Sequence, residues 1–257
     1  MQLYYRDFPS ESNATPLMML HGLFGSSTNL QFFAKKISAQ RQVILPDLRN
    51  HGRSPHHHDM NFQVMAEDVL NLLDQLSIEK INMLGHSMGG KVAMWLALNH
   101  SERIEHLLIA DISPVTYPNR FIDIISAMQN IDLDNLTSRN EADKLLGITI
   151  TDVGVRAYLL QNLMLTDTKK WRWRLNLKAI ENEMGFIMSF PNTASEYERP
   201  VLFLKGEYSD YLASEYESQL YRYFPLADIL TISEAGHWLY AEQPEQFLKA
   251  VTDFIRH

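Results

Sequence analysis

The sequence predicts an α/β fold: a mostly parallel central sheet with helices on both faces and a helical lid inserted between two core strands. Three observations carry this. Short apolar, strand-like runs alternate with helical patterns along most of the 257 residues. The alternation stops between 114 and 199, where the spacing reads as helices only, and resumes at Pro200. One strand–turn–helix junction holds a serine between two glycines, Gly85-His86-Ser87-Met88-Gly89. Residues 1–113 and 200–257 are therefore expected to form one core and 114–199 a cap, since both ends of the insertion return to the same sheet.

Taken in order, Gln2 to Phe8 alternates and is aromatic, as an edge strand does. Leu17 to Leu20 is wholly apolar, the pattern of a central parallel strand buried on both faces. A helix is expected near Leu30 to Ser38, a strand at Gln42 to Leu45, and a helix from Phe62 to Leu76 with Met65, Val69, Leu72, Leu73 and Leu76 on one face. Lys80 to Leu84 is the strand entering the serine turn, and Val92, Met94, Trp95, Leu96 and Leu98 mark the helix leaving it. Ile104 to Ala110 is a strand ending at Asp111. Within the insertion, helices are expected at Phe121 to Met128, around Glu141 to Leu146, at Val153 to Met164 and at Trp171 to Glu181. The final units are a strand at Val201 to Leu204, a helix at Ser214 to Tyr223, a strand at Ile229 to Ile232 and a helix at Pro244 to Ile255, with proline suited to its start.

Composition narrows the function. A net charge of -8 with no basic block argues against nucleic acid as a partner. Without cysteine there can be no disulfide, thiol nucleophile or thiolate metal site. No apolar run approaches the roughly 20 residues of a membrane span. Met1 to Phe8 lacks the basic start and apolar stretch of a signal peptide, so a cytoplasmic location is expected.

Ser87 needs a base, because a free alcohol is a weak nucleophile. Gly85 and Gly89 suit a tight turn that crowds the residues two before and two after the serine. Of ten histidines, His56 to His58 read as a solvated loop, His51 as a turn support, His86 as a packing or capping residue, and His100 and His106 as parts of ordinary elements; His257 is terminal. His237 differs. It follows the last strand, between a glycine and a tryptophan. Loops after strand carboxyl ends gather on one edge of a doubly wound sheet, where ligands bind. Ser87, His237, His21 and Asp111 all fall on such loops. An oxyanion needs two backbone N–H donors. Met88, next after the serine, supplies one, and Leu23 in His21-Gly22-Leu23 the other. Asp47 and Arg49 read as structural supports of their turn.

With these residues in place, the chain resembles the serine hydrolases of the α/β-hydrolase superfamily. The match rests on His21-Gly22, on Asp47-x-Arg49-x-His51-Gly52-x-Ser54, on Gly85-His86-Ser87-Met88-Gly89-Gly90 and on Gly236-His237. More narrowly, His21 to Ser26, Arg49-Asn50-His51-Gly52, Gly89-Gly90-Lys91, Asp111 to Val115 and Gly236-His237-Trp238 resemble the YbfF-type bacterial esterases. The resemblance implies an α/β-hydrolase fold and hydrolysis of carboxyl esters, with acyl thioesters such as acyl-CoA as further substrates. It implies no cofactor and no metal. In most of the superfamily the acid follows the strand after the lid as Gly-x-x-Asp. Here that stretch is Gly206-Glu207-Tyr208-Ser209-Asp210, so Ser209 occupies the place and Asp210 comes one residue late. The narrower resemblance puts the acid at Asp111 with Ser209 supporting the histidine; Asp210 and Glu207 stay as alternatives.

An acyl pocket is expected from Phe24, Leu159, Met164, Trp173, Trp238 and Met88, although Leu160, Leu163 and Trp171 share the insertion's apolar character and also fit its core. The partner is a small ester or thioester, and the chain a monomer or homodimer. C–C bond hydrolysis or acyl transfer on the same residues, and a non-catalytic binding relative, are the competing readings.

Overall fold

The central strands form on short, unbroken apolar runs such as Leu17–Leu20 and Val43–Pro46. In the computed structural model, which describes residues 1–256, Tyr5–Phe8 (β1), Leu17–Leu20 (β2), Val43–Pro46 (β3), Ile81–His86 (β4), Ile104–Ala110 (β5), Val201–Gly206 (β8) and Ala227–Ile232 (β9) make one seven-stranded sheet. His257 lies outside the described residues. The order is β1-β3-β2-β4-β5-β8-β9, parallel throughout except for β1, which pairs antiparallel with β3 at one edge.

Alternation along each strand divides the core. Met18 and Leu20 of β2 face one hydrophobic cluster; Leu17 and Met19 face the other. The first cluster takes the apolar stripes of Phe62–Gln75 (α2) and Met88–Asn99 (α3). The second takes those of Gln31–Ile37 (α1) and Pro244–Phe254 (α10). The strand order reverses between β2 and β4. This reversal opens a crevice at their carboxyl ends, where His21-Gly22-Leu23 and Ser87 lie.

Between β5 and β8 the chain leaves the sheet. It forms Ile122–Gln129 (α4), Arg139–Leu146 (α5), Val153–Leu160 (α6), Leu163–Leu165 (β6), Trp171–Trp173 (β7) and Leu177–Met188 (α7). The expectation of helices alone is corrected here. The Val153 to Met164 helix stops at Leu160, and Leu163–Leu165 pairs antiparallel with Trp171–Trp173. Asn162 helps to end the helix, its side chain donating to Leu159 O (3.2 Å) and Phe24 O (2.8 Å). The Thr166–Lys170 turn closes the ribbon: Thr166 N–H donates to Lys170 O, Lys169 N–H donates to Thr166 O, and Lys169 takes φ 59°. Trp-Arg-Trp then alternates as a strand does, and the helix expected from Trp171 begins only at Leu177. After β8 come Glu217–Tyr223 (α8), β9 and a short turn of helix at Leu239–Glu242 (α9) that precedes α10.

A buried lysine fastens the neck of the insertion. Lys91, on α3 four residues past Ser87, donates from Nζ to Val115 O (2.9 Å), Met188 O (2.9 Å) and Ser189 O (2.7 Å). These carbonyls belong to the insertion's beginning and end. The ammonium also lies 4.8 Å from the Tyr117 ring centre. Among the described residues no helix is long and apolar enough to cross a membrane.

Candidate active site

Ser87 sits at the tip of the β4–α3 turn with φ 52° and ψ -120°. A non-glycine residue held there costs on the order of 1–3 kcal/mol and persists only when its surroundings impose it. The surroundings are tight. A Cβ on Gly85 would meet Gly89 O at 2.3 Å, and one on Gly89 would meet His21 O at 2.5 Å. Ser87 N–H donates to Ala110 O (3.0 Å), fixing the turn to β5.

His237 reaches the serine from the loop after β9. Its Nε2 lies 3.1 Å from Ser87 Oγ, and its Nδ1 lies 2.8 Å from Asp111 Oδ2. The network assigns the proton to Nδ1, so Nε2 faces the serine hydroxyl as an acceptor. Asp111 is fully buried at the end of β5 with φ 53°. Its Oδ1 accepts Gly206 N–H (3.0 Å), and its Oδ2 also accepts the Ser209 hydroxyl. Asp210 points elsewhere: it is exposed and paired with Arg120 Nη2 at 2.6 Å. Glu207 accepts Glu234 N–H (2.7 Å) and does not reach His237.

The His237 ring packs against two others. Tyr211 stacks on one side with centroids 4.2 Å apart and planes 27° apart. His86 is tilted against it with centroids 4.8 Å apart, and its Nε2–H donates to His237 O (2.9 Å). Burial, and then the neighbouring His237, push the His86 imidazole well below its ordinary value, so His86 stays neutral.

The loop after β2 is braced by two further histidines. His21 Nε2 accepts Leu48 N–H (3.0 Å) and its Nδ1–H donates to Gly22 O (2.8 Å). His51 Nε2 accepts Phe24 N–H (3.1 Å) and its Nδ1–H donates to Arg49 O (2.9 Å). Each must be neutral to accept. Burial lowers both, His51 to about 3. From the other side, Tyr158 donates its hydroxyl to Leu23 O (3.0 Å). Leu23 and Met88 both line the space at Ser87, and neither N–H has a protein acceptor among the described residues. These are the donors an oxyanion there would meet. Asp47 ties this loop to the next by accepting Ser27 N–H (2.6 Å) and Arg53 N–H (2.8 Å). Arg49 is buried against Asp68 at 2.7 Å.

Residues 15–244 match the alpha/beta hydrolase fold family. The chain belongs to that family. The hydrolase is 38% identical to the sn-1-specific diacylglycerol lipase ABHD11 of Mus musculus, over 99% of this chain and 85% of that one. It is 32% identical to esterase YbfF of Escherichia coli K12, over 96% and 95% of the two chains. A solved structure described as a marine microorganism esterase matches with TM-score 0.95 and 37% identity, over 99% of both chains. The hydrolase is thus an enzyme, a serine ester hydrolase most like the YbfF type.

The space in front of Ser87 is small, about 20 Å³. That is on the order of a single water. Ile112, Phe121, Ile187, Met188 and Tyr211 wall it, with Lys91 behind. Of the residues expected to line an acyl pocket, only Met88 does so directly. Phe24 is buried behind, edge-on to Phe121 at 5.8 Å. Leu159, Met164 and Trp173 do not line this space. Leu159 is buried inside the insertion, Trp173 donates Nε1–H to Met128 O (3.1 Å), and Met164 lies beside Arg172 on the ribbon. The ribbon's register puts Trp173 on the face of Leu163 and Met164 on the opposite face beside exposed Arg172, while Leu159 belongs to α6. Trp238 lies on a wider outer groove of about 1050 Å³, against Tyr158. The wall residues come from distant segments with no local pattern. Lys91 alone carried a signal, as a lysine inside an otherwise apolar helix.

Among the described residues His57, His58 and Asp59 bring possible metal-ligand atoms within 4.8 Å of one another. His57 Nδ1 already accepts Asp59 N–H (3.1 Å), and His58 stands in solvent.

Proposed function

We propose that the enzyme is a carboxylesterase for short- to medium-chain carboxyl esters, working through an acyl-enzyme on Ser87. The observation that carries this is the hydrogen-bonded line from Ser87 Oγ through His237 to Asp111, with the two N–H groups that lack acceptors, those of Leu23 and Met88, at its Ser87 end. Ser87 Oγ attacks the ester carbonyl while His237 Nε2 takes its proton. Asp111 holds the ring in the right tautomer and stabilises the imidazolium. Leu23 and Met88 N–H groups receive the oxyanion, where one such donor is typically worth about 10²–10³ in kcat. His237 then protonates the departing alcohol, and water releases the acid by the same steps in reverse roles.

Ile112, Phe121, Ile187 and Met188 give the acyl side an apolar wall. The 114–199 insertion serves as the lid. Thioesters share the same chemistry and form the second substrate class. The name of the mouse relative brings glycerol esters into the same series.

The test is fluorophosphonate labelling of the wild type and of Ser87→Ala, followed by rates on nitrophenyl esters from acetate to dodecanoate, on acyl-CoA thioesters and on acylglycerols. Labelling confined to a chain that retains Ser87, with kcat/KM greatest at short to medium acyl length, is the expected result. An unlabelled wild type that binds esters without turning them over would make it a binding relative.

A further inference from the structure

Tyr211 makes contacts that neither the fold nor the acyl-transfer steps require. Its ring covers one face of His237 at 4.2 Å and also lines the space at Ser87. The segment that carries it is held by the beginning of the insertion. Tyr117 donates its hydroxyl to Tyr211 O (2.6 Å) while accepting Ser113 N–H (2.8 Å). Arg120 grips the adjacent Asp210 with both terminal nitrogens, Nη1 to Oδ1 at 3.1 Å and Nη2 to Oδ2 at 2.6 Å. Its guanidinium carbon lies 5.9 Å from the Tyr211 ring centre. Asp210 thus stands one residue past the superfamily's usual acid position and bonds the insertion instead of the histidine. Tyr211 N–H also reaches Ser209 Oγ (3.3 Å), the hydroxyl that donates to Asp111.

We propose that Tyr211 is a positioning residue for His237, and that Tyr117 and Arg120 of the insertion set its place. This rests on the reading of His237 as the general base. Two physical effects follow. The stacked ring limits tilting of the imidazole, whose Nε2 must stay within hydrogen-bond reach of Ser87 Oγ. It also presents a π face to a ring that becomes cationic only as the reaction proceeds, so the attraction strengthens in the transition state. His237 is then best ordered when the start of the insertion is seated, which links closure over the substrate to readiness of the base.

The experiment compares Tyr211→Phe, Tyr211→Leu, Arg120→Met and Asp210→Asn, each first checked by thermal melt, with kcat and KM measured on one neutral nitrophenyl ester. A cation–π contact of about 0.5–2 kcal/mol corresponds to roughly 2- to 30-fold. Tyr211→Leu should lower kcat within that range with KM little changed, and should slow fluorophosphonate labelling to match. Tyr211→Phe keeps the ring and should restore both. Arg120→Met and Asp210→Asn should each lower kcat about severalfold and show no further loss when combined. The reversed pair, Arg120→Asp with Asp210→Arg, should recover part of that loss. Wild-type kcat in Tyr211→Leu, or equal damage from Phe and Leu, would overturn the role of Tyr211. Wild-type kcat in Arg120→Met would overturn the link to the insertion. If the wild type itself resists labelling, the esterase reading fails instead.

Discussion

Asp111 Oδ2 lies 2.8 Å from His237 Nδ1, although the two residues are separated by 126 positions and Asp111 ends the strand before the insertion rather than the strand after it. The carboxylate is buried and committed on both oxygens, to Gly206 N–H on one and to Ser209 and His237 on the other.

From this follows an ordering of mutants. Asp111→Asn should lower kcat on the order of 10⁴-fold, because an amide favours the wrong histidine tautomer. Asp210→Asn should cost only severalfold, since its partner is Arg120. Ser209→Ala removes one hydrogen bond to the carboxylate, about 1.5–3 kcal/mol where one partner is charged, and should fall between the two. Steady-state kinetics on the three proteins decides it; an inactive Asp210→Asn beside a working Asp111→Asn would reverse the assignment.

Ser87→Ala should abolish ester turnover, with a loss on the order of 10⁴–10⁶ in kcat. The fold should survive, since Ser87 holds the turn through its backbone N–H. Melting temperature and turnover are measured together. Near-normal turnover in a well-folded Ser87→Ala would exclude Ser87 as nucleophile.

Acid should unfold the protein through its buried neutral histidines. His51 is lowered from 6.5 to about 3, and His21 and His86 are lowered too, chiefly by burial. Below 6.5 the unfolded chain binds protons that the folded chain refuses, so stability is complete above that value and drains away as pH falls. For His51 alone the loss reaches a few kcal/mol by about pH 3. Denaturant titrations from pH 7 to 4 should show the decline, and His51→Gln, less stable at pH 7, should show a shallower one. An equal slope in both proteins would remove His51 as its source.

Lys91 should act in the opposite range. Burial lowers it from 10.5 to about 7. Its depressed value makes the unfolded state the better proton binder between about 7 and 10.5, so its contribution grows as pH rises through that window. Lys91→Met also strands three carbonyls at the neck of the insertion. It should be destabilised at every pH, by on the order of a few kcal/mol, with the gap to wild type widening from pH 7 to 10. A constant gap would show that the lysine does not titrate there.

The central strands were legible because burial on both faces leaves an unbroken apolar run, as in Leu17–Leu20. Ser87 and His237 stood out because glycines and a strand end mark them locally. The acid was not marked locally: the narrower resemblance favours Asp111 over Asp210, and the structure brings Asp111, Ser209 and His237 together while Asp210 pairs with Arg120. The β6–β7 ribbon escaped because three-residue strands barely register a period of two, while Leu159, Leu160, Leu163 and Met164 mimic a helix face. The wall of the Ser87 space was hidden for a further reason. Ile112, Phe121, Ile187 and Tyr211 meet there from four separate stretches of chain.

The 20 Å³ in front of Ser87 is too little for any ester. Where the wall residues of the insertion, Phe121, Ile187 and Met188, have to move aside to admit an ester, the frequency of that motion bounds kcat/KM whatever the chemistry at Ser87.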